Sequence, residues 1–317
     1  MTMDHSLFSP LGEKTNHLYT RSNLNGRGRY LEEEKKTSSR MSQASKDKLG
    51  RVLLVGAGPN DPELLTVKAY KAIENAEVVV FDRLVGQEVL NLIPDSCEQI
   101  YVGKRCGQPS LKQQQINQIL IEQALLGKQV VRLKGGDPFI FGRGGEEALA
   151  LVANEIEYDV IPGITAAIGC AASSKIPLTH RNVSSSVTLV TGHITSGAFS
   201  SWAGLVSSGQ TLVFYMGLEQ AKNIQQGLMS EGVKEDFPLA IIGNGCSKNQ
   251  QVYVSQLSQL VSLSEQLKGL TPALIIVGEV VNLRQDLLQA HHLQAQIQQD
   301  QSQALYPQQL MAELIGV

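Results

Sequence analysis

Arg51-Val52-Leu53-Leu54-Val55-Gly56-Ala57-Gly58-Pro59-Asn60-Asp61-Pro62 is the stretch that decides how this chain folds. Residues 52–55 are apolar without alternation, as in a strand buried on both faces, and such strands belong to parallel sheets covered by helices. The glycines at 56 and 58 turn the chain, Asp61 is placed to cap a helix, and Pro62 suits its first position. Leu65, Ala69, Ala72, Ile73 and Ala76 then recur at helical spacing. Strand, tight turn and helix make the opening unit of an α/β protein.

Working outward, the same alternation continues. Residues 77–81 (EVVVF) and 129–134 (QVVRLK) predict two more strands, and 159–161 the end of a fourth. Ser110 and Gln113 resemble a capping box opening a helix with Ile116, Ile119, Leu120 and Ala124 along one stripe. After Pro162-Gly163 a helix of small residues is predicted over 164–174, and then the pattern changes. Strands are predicted at 186–191, 210–215, 239–242, 251–255 and 273–277, with helices near 220–229 and 255–268. The close pair LAII and QVYVS reads as an antiparallel hairpin, which makes the second sheet mixed. The expected organisation is a disordered extension over 1–49, a parallel-sheet α/β domain over 50–162, a mixed-sheet α/β domain over 163–284, and a Gln-rich helix or tail over 285–317.

Composition agrees. The 317 residues are 42% hydrophobic, 18% charged and 5% aromatic, with 29 glycines, which suits a tightly turned α/β enzyme and excludes a coiled coil or disordered scaffold. Residues 1–50 hold nine Lys/Arg and six Asp/Glu; the remainder holds eighteen and twenty-four. So acidic a body lacks the broad basic stripe of a duplex binder, so no nucleic-acid partner is expected and an anionic ligand must meet locally concentrated charge. Cys97, Cys106, Cys170 and Cys246 form no C-x-x-C pair and read as reduced thiols, with no metal site expected. With no apolar run of about 18 residues and no secretory signal, no membrane partner and a cytoplasmic location are expected.

Several motifs carry chemistry. The loop after the first strand is not a dinucleotide fingerprint, because Asp61 occupies the third glycine position and Pro59 lacks the backbone donor a phosphate needs. The loop from Lys134 to Glu147, with glycines at 135, 136, 142, 144 and 145, follows a strand and reads as a ligand loop. On the bare sequence Asp82 reads as a loop cap, Lys104-Arg105 as a solvated pair, Lys134 as structural and Met216 as core. His180-Arg181, after the Pro177 turn, points to an anion site. Seven of the eighteen basic residues of the body fall in or beside these motifs: Arg83, Lys104, Arg105, Arg132, Lys134, Arg143 and Arg181.

Over residues 50–284 the blocks GAGPNDPELLT, FDRLV, VGKR, RLKGGDPFIFGRGGEE, PGITAA, IPLTHR, VTGH, FYMG and PALIIVGEVV follow one another in the order of the uroporphyrinogen-III C-methyltransferases. The chain thus resembles the tetrapyrrole methylase family of class III methyltransferases. The resemblance implies a homodimer of two-domain α/β subunits, an active-site cleft between the domains, and S-adenosyl-L-methionine (SAM) bound there, leaving as S-adenosyl-L-homocysteine. It places cofactor contacts on Pro59, Gly135, Gly136, Asp137, Ile140, Thr165, Ala166, Met216 and Gly245. It also assigns Asp82 as general base and Lys104 as general acid, which reverses the bare readings of Asp82 and Met216. The implied substrate is uroporphyrinogen III, methylated at C2 and C7. Its carboxylates call for arginines, with Arg83, Arg105, Arg143 and Arg181 as candidates. The chain departs from the family pattern at Asn60 (usually glycine), at Gly243-Asn244-Gly245-Cys246 (usually ENGT), at Gln250-Gln251 and at Asn182. Asn60 costs little there if the position tolerates left-handed backbone.

Overall fold

The computed structural model describes residues 49–103, 111–192, 202, 204–205 and 209–289. The first sheet contains β1 (Arg51–Gly56), β2 (Val78–Phe81), β3 (Glu98–Tyr101), β4 (Gln129–Lys134) and β5 (Tyr158–Ile161). Their order is β3-β2-β4-β1-β5, and every pairing is parallel, as the apolar runs predict. Helix α1 (Val67–Glu74) and the short α2 (Gln87–Leu90) cover one face, where Val55, Ile73, Val79 and Leu133 share a core. Helices α3 (Gln113–Leu125) and α4 (Gly144–Ala153) cover the other, with Val52, Leu54, Val80, Leu120 and Leu151 buried beneath them.

Three local expectations change. Asp61 caps a single 3₁₀ turn, Pro62–Leu64, by accepting from the Glu63 N–H at 2.9 Å. Helix α1 starts only at Val67, because the Thr66 hydroxyl accepts from the Ala69 N–H and supplies a second cap. The strand β3 was not foreseen, since this edge strand is largely polar and lacks an apolar signature. The predicted cap Ser110 lies outside the described residues; α3 opens with the Gln115 side chain accepting from the Lys112 N–H at 2.8 Å.

Helix α5 (Ala166–Ser173) leads to the second sheet, β6 (Ser186–Thr191), β7 (Gln210–Tyr215), β8 (Pro238–Gly243), β9 (Gln251–Gln256) and β10 (Ala273–Val277), in the order β6-β7-β10-β8-β9. Only β6–β7 is parallel, and β8–β9 is the expected antiparallel hairpin, with Ile241 opposite Tyr253. Helices α6 (Ala221–Ser230) and α7 (Leu260–Gln266) pack over Phe214, Ile241 and Ile275. Helix α5 packs Ala167, Cys170 and Ala171 against Val213, Ala240 and Ile276 on the opposite face. Among the described residues no helix is long and apolar enough to cross a membrane.

Candidate active site

Adjacent parallel strands β1 and β4 deliver their following loops side by side, where open α/β sheets take ligands. These loops spend their backbone donors on each other. The Gly136 N–H donates to the Gly58 carbonyl at 2.8 Å, the Gly58 N–H to the Gly136 carbonyl at 3.2 Å, and the Ala57 N–H to the Lys134 carbonyl at 2.7 Å. Gly136 holds φ 71°, which lets the loop turn back on itself. With Pro59 lacking a donor, this turn offers no pyrophosphate cradle.

A cavity of about 430 Å³ lies between the two sheets. Pro59, Gly135, Gly136, Ile140, Asp82, Arg83 and Arg143 line it from the first sheet's loops, and Thr165, Ala166, Met216 and Gly245 from the other side. The start of α5 is fixed there by Tyr215, whose hydroxyl shares a 2.7 Å hydrogen bond with Thr165 Oγ1 and accepts from the Ala167 N–H at 2.8 Å. Burial pushes this phenol above its ordinary value. Met216, at the end of β7, stands exposed with φ 53°. At Gly245 a Cβ would run into Cys170 Sγ, so a larger residue there would have to displace that thiol. The carbonyl of Gly245 accepts from Asn60 Nδ2 at 3.4 Å. Asn60 does adopt left-handed backbone, φ 82°, and its amide ties the two sheets' loops together.

The cavity's inner wall is charged. Period-two alternation puts Arg132 and Lys134 of β4 on one face, toward α3 and α4. Glu147, in the first turn of α4 where the helix dipole favours an anion, is fully buried between them. Its Oε1 accepts from Arg132 Nε at 3.1 Å, Lys134 Nζ at 3.1 Å and Gln113 Nε2 at 3.2 Å, and its Oε2 lies 3.0 Å from Lys134 Nζ. Burial, followed by the neighbouring Arg132 charge, lowers the Lys134 ammonium below its ordinary value despite Glu147. The second end of Arg132 reaches Asp82, with Nη2 donating to Oδ2 at 3.0 Å. The other oxygen of Asp82 accepts from the Leu84 N–H at 2.9 Å. Asp82 is therefore both the loop cap of the bare reading and a carboxylate held by a buried guanidinium at the cavity wall.

The remaining candidates are placed differently. Asp137 sits behind the wall, its carboxylate accepting from the Phe139 N–H at 2.8 Å and the Gly163 N–H at 3.1 Å. Arg143 lines the cavity while pairing with Glu146 at 2.7 Å, a contact that raises the guanidinium and lowers the carboxyl. Arg181 lies outside the cavity lining, on an exposed turn closed by mutual backbone bonds between His180 and Ser184. Lys104 and Arg105 lie outside the described residues. Sequence reasoning missed Glu147, Gln113 and Tyr215, and did not see Arg132 as Asp82's partner. One signal was present: two basic residues spaced i, i+2 in a buried strand demand a buried anion, and Glu146-Glu147 open the next element.

Two helix-covered sheets meeting at a cavity whose glycine turn binds itself define a two-sheet α/β enzyme outside the dinucleotide-binding class. The chain belongs to the Tetrapyrrole (Corrin/Porphyrin) Methylases, whose family model matches residues 51–261. Siroheme synthase 2 of Yersinia enterocolitica is 55% identical over 238 residues, 75% of this chain and 50% of that protein. A siroheme synthase of Enterobacter sp. is 49% identical over 251 residues, 79% of this chain and 54% of that protein. The chain spans about half the length of the curated relatives it matches. Among solved structures, the uroporphyrin-III C-methyl transferase of Thermus thermophilus complexed with S-adenyl homocysteine is 36% identical with a TM-score of 0.63, covering 74% of this chain and 94% of that one. A cobalt precorrin-4 methyltransferase shares the fold at 22% identity and a TM-score of 0.66, over 73% of this chain and 95% of that one.

Proposed function

We propose that this chain methylates uroporphyrinogen III at C2 and C7 with SAM, through precorrin-1 to precorrin-2, for sirohaem- or cobalamin-type tetrapyrrole synthesis, acting as a cytoplasmic homodimer. The observation that carries the reading is the meeting, in one cavity, of Pro59, Gly135, Gly136, Ile140, Thr165, Ala166, Met216 and Gly245 with Asp82 on the wall. The cavity fits the cofactor. SAM is cationic and has no pyrophosphate, which suits a glycine turn whose Ala57, Gly58 and Gly136 N–H groups are bonded within the turn and a lining that includes Ile140, Phe141, Ile242 and Leu274. The S-adenyl homocysteine complex of the Thermus relative supports the same choice.

When bound, SAM supplies a sulfonium methyl that passes to an electron-rich pyrrole carbon and leaves S-adenosyl-L-homocysteine. The protein's share is alignment, which is potentially worth several kcal/mol, and proton management. Asp82, oriented by Arg132, accepts a proton lost from the methylated macrocycle, and Lys104 returns one. Arg83 and Arg143 at the cavity, with Arg105 and Arg181, receive substrate carboxylates. The deciding assay is anaerobic incubation of the chain with SAM and uroporphyrinogen III, followed by oxidation. A sirohydrochlorin-type spectrum from dimethylated product is expected; turnover of SAM on another precorrin, with none on uroporphyrinogen III, would sink the reading.

A further inference from the structure

Cys170 and Cys246, which the proposed chemistry does not use, sit together in the wall between the ligand cavity and a second cavity of about 1090 Å³. Cys170, on α5, is buried and faces the ligand cavity; Cys246, just after Gly245, is partly exposed and lines the second. Their packing is reciprocal. Cys170 Sγ lies 2.2 Å from where a Cβ on Gly245 would stand, and Cys246 Sγ 3.2 Å from where a Cβ on Gly169 would stand. Each sulfur thus rests on the chain neighbour of the other cysteine. The loop is held in place by Gln250 Oε1, which accepts from the Cys246 N–H and from Ser173 Oγ, both at 2.7 Å.

The two thiols perturb each other, and the Cys246 thiol donates to Ser173 Oγ at 3.5 Å. These contacts pull Cys246 down to about 7, while the same pairing and then burial push Cys170 up. The accessible sulfur is thus the more readily ionised of the two and the buried one the more firmly protonated, the division of roles that thiol–disulfide exchange needs. Cys246 stands where the family segment ENGT ends in threonine, so this second sulfur is a departure of the present chain.

We propose that Cys170 and Cys246 form a modification site, a dithiol that closes to an intramolecular disulfide by exchange with a small-molecule disulfide entering through the second cavity, and so disables cofactor binding at Gly245. The last clause rests on the proposed function. In the first step the Cys246 thiolate attacks one sulfur of the small disulfide, whose S–S bond breaks and releases one thiolate. In the second, Cys170 attacks Cys246 Sγ, and the second small thiolate leaves with the Cys170 proton. Two protein thiols are oxidised to one disulfide, and one small disulfide is reduced to two thiols. Joining the sulfurs moves the Cys170 sulfur that packs on Gly245 and so reshapes the loop that lines the ligand cavity.

The test is incubation of the full chain with glutathione disulfide, followed by peptide mapping and calorimetric titration with S-adenosyl-L-homocysteine. A Cys170–Cys246 cross-linked peptide is expected, with loss of binding in step, both reversed by dithiothreitol. The Cys246→Ser variant is expected to keep binding and methyl transfer while resisting the oxidant. A lasting glutathione adduct on Cys246 with Cys170 still free overturns the dithiol, and a cross-link without loss of binding overturns its effect on the cleft. If the reduced chain binds no S-adenosyl-L-homocysteine, the proposed function fails, while the cross-link map still decides the dithiol.

Discussion

β4 and β8 are both interior strands, almost completely buried, yet their side chains have opposite chemistry. β8 (PLAIIG) buries all six residues without one polar side chain, and its sheet supplies the cavity with shape: Ile242, Gly245 and Leu274. β4 (QVVRLK) buries Arg132 and Lys134 at equal depth. Taking each such ion out of water costs several kcal/mol, which pairing with Glu147 offsets without making it a net gain. Apolar packing alone would have been the simpler core. The charges therefore make most sense as a rigid support for Asp82, which Arg132 grips from behind. One half of the molecule carries charge to the cleft and the other gives the cleft its form.

The hardest blow to that contrast comes from Asp82→Asn, expected to lower methyl transfer by about 10²–10⁴-fold with the fold intact by circular dichroism. Near wild-type turnover with unchanged cofactor binding would remove Asp82 from the chemistry. Next is Glu147→Ala, which strands two buried cations and is expected to lower unfolding free energy by about 3–5 kcal/mol in urea titrations. The apolar triple replacement Arg132→Met, Lys134→Met, Glu147→Leu should instead be neutral or stabilising by up to about 4 kcal/mol while activity collapses. If Glu147→Ala costs no more than Ile241→Val in β8, about 0.5–1.5 kcal/mol, the two strands do not differ as argued.

Tyr215→Phe loses the bonds to Thr165 and Ala167 and is expected to cost about 1–3 kcal/mol. Because the folded-state value of Tyr215 is raised above 10.0, its contribution is present below pH 10.0 and is lost as pH climbs through the raised value. The phenylalanine variant should therefore show a flatter loss of stability above pH 10.0 in thermal melts. The smallest expected effect is Arg143→Gln. Its pair with Glu146 is half-exposed, so stability should change by less than about 1 kcal/mol, while KM for the tetrapyrrole rises at constant kcat.

Much of the architecture was legible locally. The apolar runs of β1 and β2 announced a parallel sheet, LAII and QVYVS a hairpin, and Pro59 with Asp61 excluded a phosphate loop. Left-handed backbone at Asn60 was readable from the residue it replaces. The candidate site was legible only in part: Asp82, Met216 and Gly245 stood out through family resemblance, and Asp82 and Met216 taken alone had ordinary structural readings. Arg181, which the motif order placed among the substrate arginines, sits on an exposed turn because His180 and Ser184 close that segment on itself.

The sequence by itself determined strand, turn and helix, because periodicity and turn chemistry act within a few residues. Tertiary structure alone decided which distant groups meet. The crossover order β3-β2-β4-β1-β5 inserts β4 between β1 and β2, setting Val80 opposite Arg132 and bringing that guanidinium to Asp82. The packing of α5 against the loop after β8 likewise joins Cys170 to Cys246. Charge pairing and thiol pairing depend on separations in space of a few ångströms, and local spacing along the chain carries no record of those.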